Sequence, residues 1–526
     1  MGYHTIFIGG GINNLVAASL LAKSGKKVLV LERTEHLGGC IRSAQAEGCT
    51  LDTFSTAYPL FVTGPAYGML QEDLAAQGVD FANNDTPTAT VLSDKRFSIL
   101  RTDRDTNTQN FNGFNAGEGD RFRETIGWVE QNADLLFSIL GQEPVTLQMA
   151  KLLGKTLWKK GVKPSLELVG ECLASLRNDF PDHVKSEEVN ALLSPWILHT
   201  GLSPESPFSA AMAKIVAFTV ELVGLPLVKG GSYKIVEAFK NIIESNGGTC
   251  ILNRHVDEVV VDKASKTATG VRCADGSSYN SKFVVASTTP TLLYDKLIAD
   301  KSLLPEAVKT QAANYKYGMG NMQIHLVLNE APKWFDPELG TVIYTHLSNG
   351  MDDVSRSVNQ ATRQQLPSEA TICIAQPSAV DPSRAAEGKH ILWIQLPECP
   401  NYPEADAAGS LNDLCQGEWT DALKNAYADR ILDRIEGYIS NVKTAQVYKA
   451  IISPKELGQM NINLMHGDPY GGSCAIEQYL AWRPLKSTKN HETPIKNLFH
   501  SGASTHPGPG LGGGSGFLIY QKLHKK

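Results

Sequence analysis

The sequence lacks any hydrophobic run long enough to cross a bilayer, which takes roughly 20 consecutive apolar residues. We also expect no apolar leader, because the residues from Tyr3 to Ile8 already have the pattern of a strand. An excess of positive charge is absent as well: the formal net charge is -6, which gives no reason to expect a nucleic-acid partner. We therefore expect a cytoplasmic protein whose only membrane contact would be peripheral.

Paired cysteines and metal-binding motifs are also missing. The nine cysteines are scattered from Cys40 to Cys474 without a C-x-x-C pair, and no Cys/His or acid/His run has the spacing of metal ligands. An odd number of scattered cysteines is typical of reduced thiols in a reducing compartment. The sequence thus predicts free thiols and no metal site.

What the sequence does have is a globular composition and many glycines, which cluster near its two ends. Hydrophobic residues make up 42% and charged residues 20%, and 46 residues are glycine. At roughly 100–200 residues per domain, a chain of 526 residues predicts two to four structural units.

The N-terminal segment has the pattern of strand, glycine-rich turn, helix and second strand. The first strand ends at Ile8, the turn Gly9–Gly11 follows, and the second strand, Val28–Leu31, leads into Glu32. This order predicts a βαβ unit that binds a pyrophosphate at the helix N-terminus and a ribose hydroxyl at Glu32. The glycine pattern G-x-G-x-x-G is imperfect, because Asn14 occupies the third glycine position. An acid after the second strand disfavours a 2′-phosphate, so we do not expect NADP here.

A second glycine pair, Gly38-Gly39, follows soon after Glu32. A plain NAD-binding fold does not need this pair, whereas its backbone amides would contact the distal part of a longer dinucleotide. The spacing therefore favours FAD, with Arg33 beside the adenosine.

The C-terminal glycines, Gly508 to Gly513, also match G-x-G-x-x-G formally. Because the sequence ends at Lys526, we expect no second nucleotide-binding unit there. We expect instead a strand, a loop that carries His506 and Pro507, and a helix whose N-terminus near Gly512–Gly516 points at the flavin ring.

A lysine-rich segment, Gln148–Lys163, combines five lysines with leucines and a tryptophan and contains no acidic residue. Two interpretations stay open: a basic amphipathic surface that lies on an anionic membrane, or a solvated helix face above a buried stripe. Gly154 and Gly161 weaken the pattern of one continuous helix.

Several ordered segments, which together span nearly the whole chain, resemble those of a known family. They are Ile8–Ala18 with Glu32–Gly39, Leu225–Ala238, Arg254–Gly276, Met322–Leu328, Ser453–Pro484 and Asn497–Gly508. The chain is similar to the FAD-dependent oxidoreductases of the phytoene desaturase type within the amine oxidase superfamily. Among these it most resembles the pyridine nucleotide-disulfide oxidoreductase domain-containing protein 2 branch.

The resemblance implies an α/β fold with a discontinuous, Rossmann-like FAD-binding domain and a mixed α+β substrate domain. The FAD-binding domain would comprise residues 1–90, 226–300 and 485–526, and the substrate domain residues 91–225 and 301–484. Carried over by position, the residues that contact FAD would be Gly9, Gly11, Ile12, Asn13, Asn14, Glu32, Arg33, Gly39, Cys40, Val256, Gly502 and Gly513. Cys40 departs from the wider superfamily, which often has arginine directly after the glycine pair.

The candidates for catalytic groups are His506, His466 and Tyr58, each with the alternative of a purely structural side chain. The leading hypothesis is a desaturase or dehydrogenase that takes a hydride from a CH–CH or similar bond of an apolar, isoprenoid or polyene substrate. Electrons would leave to oxygen or to a quinone. A flavin amine oxidase, a redox-neutral flavin-dependent isomerase and a non-catalytic flavin-binding partner protein remain alternatives, and the oligomeric state is not predicted.

Overall fold

Two seven-stranded sheets organise the protein, whose computed structural model describes residues 2–526. The strands are β1 (Tyr3–Ile8), β2 (Val28–Leu31), β3 (Ser43–Ala46), β4 (Cys49–Asp52), β5 (Phe81–Ala82), β6 (Thr88–Val91), β7 (Phe97–Leu100), β8 (Leu227–Val228), β9 (Thr249–Ile251), β10 (Val256–Asp262), β11 (Thr267–Cys273), β12 (Ser278–Ser287), β13 (Gly320–Leu328), β14 (Tyr344–Leu347), β15 (Gln365–Leu366), β16 (Ile372–Ala375), β17 (His390–Cys399), β18 (Ala405–Asp406), β19 (Gln446–Ile452) and β20 (Leu498–Ser501).

The α-helices connect and cover these sheets. They are α1 (Ile12–Lys23), α2 (Pro59–Val62), α3 (Pro65–Ala76), α4 (Arg104–Phe114), α5 (Glu118–Gly141), α6 (Leu147–Lys160), α7 (Val162–Leu173), α8 (Leu176–His183), α9 (Glu187–Leu193), α10 (Ser209–Val223), α11 (Tyr233–Ser245), α12 (Glu306–Ala313), α13 (Met351–Thr362), α14 (Pro377–Val380), α15 (Asp421–Glu436), α16 (Pro454–Met460) and α17 (Gly514–Leu523). Within the described range, no helix is both long and apolar enough to span a membrane.

The first sheet has the order β10-β11-β12-β1-β2-β9, with β20 paired to β12. Its centre is parallel: β1 pairs with β2 and β12, and β20 runs parallel to β12. The predicted βαβ unit is confirmed, since α1 joins the parallel strands β1 and β2. Helices α1, α11 and α17 pack in the core on one face, while the β10–β11 hairpin contributes to the core on the other. Burial on both faces explains why β1 and β2 have continuous apolar runs instead of alternation.

The second sheet has the order β19-β13-β17-β16-β14-β6-β7. One of its faces packs on α15, and residues of the other face join the core formed with helices between α4 and α10. The two sheets thus draw on different parts of the chain. The predicted domain bounds remain a prediction, and the proposed boundary at residue 90 falls inside β6, which pairs with β14.

Candidate active site

A cleft of about 900 Å³ opens where the parallel strands of the first sheet end. Ile8 and Leu31, the last residues of β1 and β2, lie in its lining, as does Ser287 at the end of β12. Gly502 follows the end of β20 and also lines the cleft. The carboxyl edge of an open parallel sheet is the general location of nucleotide sites in α/β folds.

The N-terminus of α1 faces this cleft without a capping side chain. Its N-cap residue is Gly11, and Ile12 and Asn13 of the first turn line the cleft. The first backbone N–H groups of a helix have no intrahelical partner and carry the positive end of the helix dipole. A Cβ on Gly11 would have Ser287 Oγ, 4.0 Å away, as its nearest neighbour, so the space in front of Gly11 is open. This arrangement suits a pyrophosphate.

Asn14 lies beneath the cleft and not in its lining. Its Nδ2 donates to the carbonyls of Ile8 (3.0 Å) and Gly9 (2.8 Å), and its Oδ1 accepts a hydrogen bond from Ser501 Oγ at 2.7 Å. The fully buried amide therefore connects the ends of β1 and β20 to the start of α1. This bridging explains how asparagine serves at a position where the glycine pattern has its third glycine.

The carboxylate of Glu32 is held by hydrogen bonds from the glycine turn and from Thr34. Its Oε2 accepts from the Gly10 N–H at 2.8 Å, and its Oε1 accepts from the N–H (2.9 Å) and the hydroxyl (3.0 Å) of Thr34. The carboxylate lines the cleft together with Arg33 and Val256. Oε1 thus accepts two hydrogen bonds and Oε2 only one, so Oε2 can still accept a hydrogen bond from a ribose hydroxyl.

The second glycine pair closes tightly on the first turn. Gly38 donates its N–H to the carbonyl of Gly10 at 2.8 Å, and both Gly38 and Gly39 have positive φ angles, +109° and +62°. A Cβ on Gly39 would lie 3.1 Å from the Cα of Gly11, so a side chain there would crowd the first turn. Both backbone turns thereby reach the same wall of the cleft.

Cys40 follows this pair and also lines the cleft. Its thiol accepts a hydrogen bond from Asn461 Nδ2 at 3.6 Å. Burial raises the pKa of the thiol to about 11, with the Asn461 contact opposing the shift. Cys40 is therefore a neutral thiol at physiological pH, not a thiolate nucleophile.

We expect Cys40 in the flavin-free protein to react slowly with iodoacetamide. With its pKa raised from 9.0 to about 11, the thiolate fraction near pH 8 is about 100-fold below that of an ordinary thiol. The alkylation rate should rise about tenfold per pH unit until about pH 11. Mass spectrometry of the Cys40 peptide measures this rate, and the urea-unfolded chain is the reference. Equal rates in the folded and unfolded chains near pH 8 would show that the thiol is not shielded.

The C-terminal segment forms the remaining part of the cleft. Gly502, Ala503, Ser504 and Leu511 line it, whereas Gly513 is the N-cap of α17 and lies outside the lining. The N-terminus of α17 packs on that of α1 through two contacts. Gly516 donates its N–H to Asn13 Oδ1 at 3.2 Å, and a Cβ on Gly516 would overlap the Asn13 carbonyl. Two helix N-termini therefore meet below the cleft.

Most of the predicted FAD contacts lie in the lining, although their roles stay predictions. Those that line the cleft are Gly9, Gly11, Ile12, Asn13, Glu32, Arg33, Gly39, Cys40, Val256 and Gly502. Asn14 and Gly513 lie behind it, at the starts of α1 and α17.

The three catalytic candidates occupy different environments. His466 is exposed and lines the cleft, and its Nδ1 lies 2.6 Å from the hydroxyl of Tyr402. His506 is fully buried away from the lining, its ring nitrogens have no partner among the described residues, and burial lowers its pKa to about 4. Tyr58 is also buried outside the lining, and burial raises its pKa. The structure thus brings only His466 of these three into the cleft.

In the segment 461–471 after α16, which contributes much of the lining, sequence reasoning assigned a site role to His466 alone. Asn463 fastens this segment to the first sheet, since its Oδ1 accepts from Thr289 N–H (3.1 Å) and its Nδ2 donates to the Ser287 carbonyl (3.2 Å). The start of α16 carries a readable signal, a capping box between Ser453 and Glu456. Positive side chains in the lining that sequence reasoning also missed are Arg42, Arg254, Lys296 and Lys455.

The sequence predicted no metal site, yet three potential ligands from separate segments come together. His199, His346 and Cys373 place their ligand atoms within 4.8 Å of one another, the one such group among residues 2–526. The Nε2 atoms of His199 and His346 are 2.9 Å apart, which is a hydrogen-bond distance. Burial lowers the pKa of His199 to about 4, so a neutral imidazole pair explains the arrangement without an ion.

A parallel sheet with a long cleft, two glycine turns and an acid after the second strand defines a dinucleotide-binding flavoprotein of the oxidoreductase class. The family model described as flavin containing amine oxidoreductase matches residues 15–513. The chain belongs to this family, and FAD is its cofactor. The uncapped N-terminus of α1, the open space before Gly11 and the carboxylate of Glu32 fit that group.

Curated relatives match nearly the whole chain at low identity. A limonene dehydrogenase subunit of Castellaniella defragrans is 23% identical, covering 97% of this chain and 92% of its own length. Pyridine nucleotide-disulfide oxidoreductase domain-containing protein 2 of Mus musculus is also 23% identical, over 98% and 92%. Phytoene desaturase of Fusarium fujikuroi is 23% identical over 96% and 86%. These matches confirm the resemblance predicted from the motifs.

Solved structures confirm the predicted fold class. An oxidoreductase from Methanosarcina mazei superposes with a TM-score of 0.61 at 14% identity, covering 99% of this chain and 100% of its own. Cyclohexylamine oxidase from Brevibacterium oxydans gives a TM-score of 0.59 at 15% identity, covering 100% and 99%. At such identities the similarity defines the fold alone.

Proposed function

We propose that this flavin-dependent oxidoreductase is a dehydrogenase of the desaturase type, which removes hydrogen from a CH–CH or similar bond of an apolar, isoprenoid or polyene substrate. The observation that carries the proposal is the composition of the cleft segment after α16. Met460, at the end of α16, and Ile462, Leu464 and Met465, which follow it, are apolar residues of the lining. Met460 and Leu464 also pack with Cys40 and Phe54, so the apolar surface continues beside the second glycine pair.

The names of two relatives support the same type of reaction. The limonene dehydrogenase polypeptide and phytoene desaturase are both named for removing hydrogen, and each matches at least 96% of this chain. Cyclohexylamine oxidase shares the fold, but its 15% identity carries no argument for an amine substrate.

In this proposal the residues of the chain bind the cofactor and orient the substrate. Bound FAD supplies the acceptor for the hydrogen that leaves the substrate. The N-terminus of α1 holds the pyrophosphate, Glu32 holds the ribose, and the apolar segment after α16 keeps water from the substrate. His466, whose ring is positioned by the Tyr402 hydroxyl, borders the substrate, and oxygen or a quinone takes the electrons afterwards.

Anaerobic mixing of the purified holoprotein with candidate substrates tests this proposal. Limonene and phytoene, each in detergent micelles, should bleach the visible flavin band, whereas cyclohexylamine and putrescine should leave it unchanged. Admission of air or of a soluble quinone then identifies the acceptor by the rate at which the band returns. Bleaching by the amines alone would overturn the proposal in favour of an amine oxidase. Conversion of a terpene to an isomer without lasting bleaching would favour an isomerase.

A further inference from the structure

Helices α6 and α7 leave an unusual number of large apolar side chains in solvent. On α6, Trp158 is 85% exposed and Leu147 is 72% exposed. On α7, Val162 and Leu166 are each 65% exposed. Large exposed apolar surfaces on a protein mark contacts with partners or membranes. We call this surface, formed by residues 147–173, the α6–α7 surface.

Helix α6 has three distinct faces when its residues are placed about 100° apart around the axis. The inward face carries Met149, which is buried, with the half-buried Leu152 and Thr156. A second, outward face is apolar and contains Leu147, Leu153, Leu157 and Trp158. The third face, next to it, carries Lys151, Lys155 and Lys159 at the spacing i, i+4, i+8. An apolar stripe bordered by a lysine stripe is typical of helices that lie in a membrane interface.

Helix α7 adds a second apolar stripe. Its exposed residues Val162, Leu166, Val169 and Leu173 follow the spacing i, i+4, i+7, i+11, so they lie along one side of the helix. The inward side is a different one, marked by the buried Leu168. Because α7 already packs on the protein through its buried side, the exposed stripe is not a core-facing side that has been left uncovered.

The lysines of the third face have no acidic partners within the described residues. No salt bridge in residues 2–526 involves Lys151, Lys155 or Lys159. Two further lysines of the segment do have partners: Lys160 donates to Asn132 Oδ1 at 3.0 Å, and Lys163 lies 3.8 Å from Glu167. Three unpaired positive charges beside an apolar stripe are complementary to a partner with negative groups on its surface and apolar groups directly beneath them.

We propose that the α6–α7 surface docks the protein on an anionic lipid bilayer. The apolar stripes enter the boundary between headgroups and acyl chains, and the lysine face contacts the lipid phosphates. A symmetric contact between two copies through this surface is disfavoured, because a two-fold axis would bring the same unpaired lysines together. Docking on a bilayer does not depend on the substrate proposed above.

Sedimentation with lipid vesicles tests the docking. Wild-type holoprotein should pellet with phosphatidylcholine vesicles that contain phosphatidylserine, and much less with phosphatidylcholine alone. The variant Lys151→Gln/Lys155→Gln/Lys159→Gln should partition about 100-fold more weakly, since each lysine near an anionic surface contributes about fivefold. A Leu153→Gln/Trp158→Gln variant should weaken binding to both kinds of vesicle.

The matched control is Lys95→Gln/Lys333→Gln/Lys486→Gln, which removes three exposed lysines elsewhere and should bind like wild type. Retained flavin and an unchanged circular dichroism spectrum check that each variant is folded. Failure of wild type to bind anionic vesicles would overturn the proposal. So would a dimer in solution that Leu166→Gln/Val169→Gln dissociates, because the surface would then belong to a second copy of the chain.

Discussion

A Gly11→Trp variant is expected to fold and to purify without FAD. Gly11 is the N-cap of α1, and the space in front of its Cα is open towards the cleft, with Ser287 Oγ as the nearest neighbour of an added Cβ. The backbone therefore accepts a side chain, while an indole would fill the space that a pyrophosphate needs. The ratio of flavin to protein absorbance after gel filtration measures the loss, which we expect to be complete.

The control for this variant is Gly127→Trp. Gly127 lies in α5, which contributes no residue to the lining of the cleft, and an added Cβ there would meet no atom of a neighbouring element within 4 Å. This control should retain its flavin. If folded Gly11→Trp protein carries as much FAD as the control, the assignment of the glycine turn to the nucleotide site is wrong.

An Arg384→Met variant is expected to lose much of the free energy of unfolding, and far more than a variant of an exposed arginine. The fully buried guanidinium donates to the carboxylates of Asp52 and Asp381 and, at 2.6 Å, to the carbonyl of Val228. Asp52 also accepts hydrogen bonds from Ser232, so the network connects β4 to the start of α11. Removal of the one cation leaves two buried carboxylates uncompensated, which costs about 3–5 kcal/mol.

Urea unfolding of the holoprotein, followed by circular dichroism, measures this loss. Arg96→Met is the comparison, because Arg96 pairs with three carboxylates, Asp94, Glu187 and Glu188, but is 46% exposed. Water screens that cluster, so its removal should shift the unfolding midpoint much less. Equal shifts in the two variants would show that the buried network contributes no more than a surface cluster.

The local part of the fold was predictable because its signals are close together in the sequence. Strand β1, the glycine turn, α1 and β2 follow one another, and their apolar runs and turn glycines indicate the order of these elements. The pairing of β20 with β12 has no such signal, since the register between Val284 and Leu498 depends on packing between distant segments. The hydrogen bond between Asn14 and Ser501 was equally unpredictable, because it joins residues from opposite ends of the chain.

The candidate site was predictable where the backbone defines it and less so where side chains do. Glycines and an acid at fixed spacing pointed to Gly11, Gly39 and Glu32, which all line the cleft. A histidine or tyrosine in a loop gives no information on burial, so His506 and His466 looked equivalent in the sequence. The structure separates them, with one in the interior and the other in the lining. Residues 287–297 and 455–466 enter the cleft only through tertiary packing.

The flavin content of the purified wild-type protein tests the central claim most directly. The protein is denatured, and the released chromophore is identified by chromatography against FAD and FMN standards and quantified against the chain. Our account predicts equimolar FAD, because the cleft extends from Glu32, at the adenosine end, to the loop after Gly502 at the flavin end. Release of FMN, of a nicotinamide nucleotide, or of no chromophore from folded protein would contradict it.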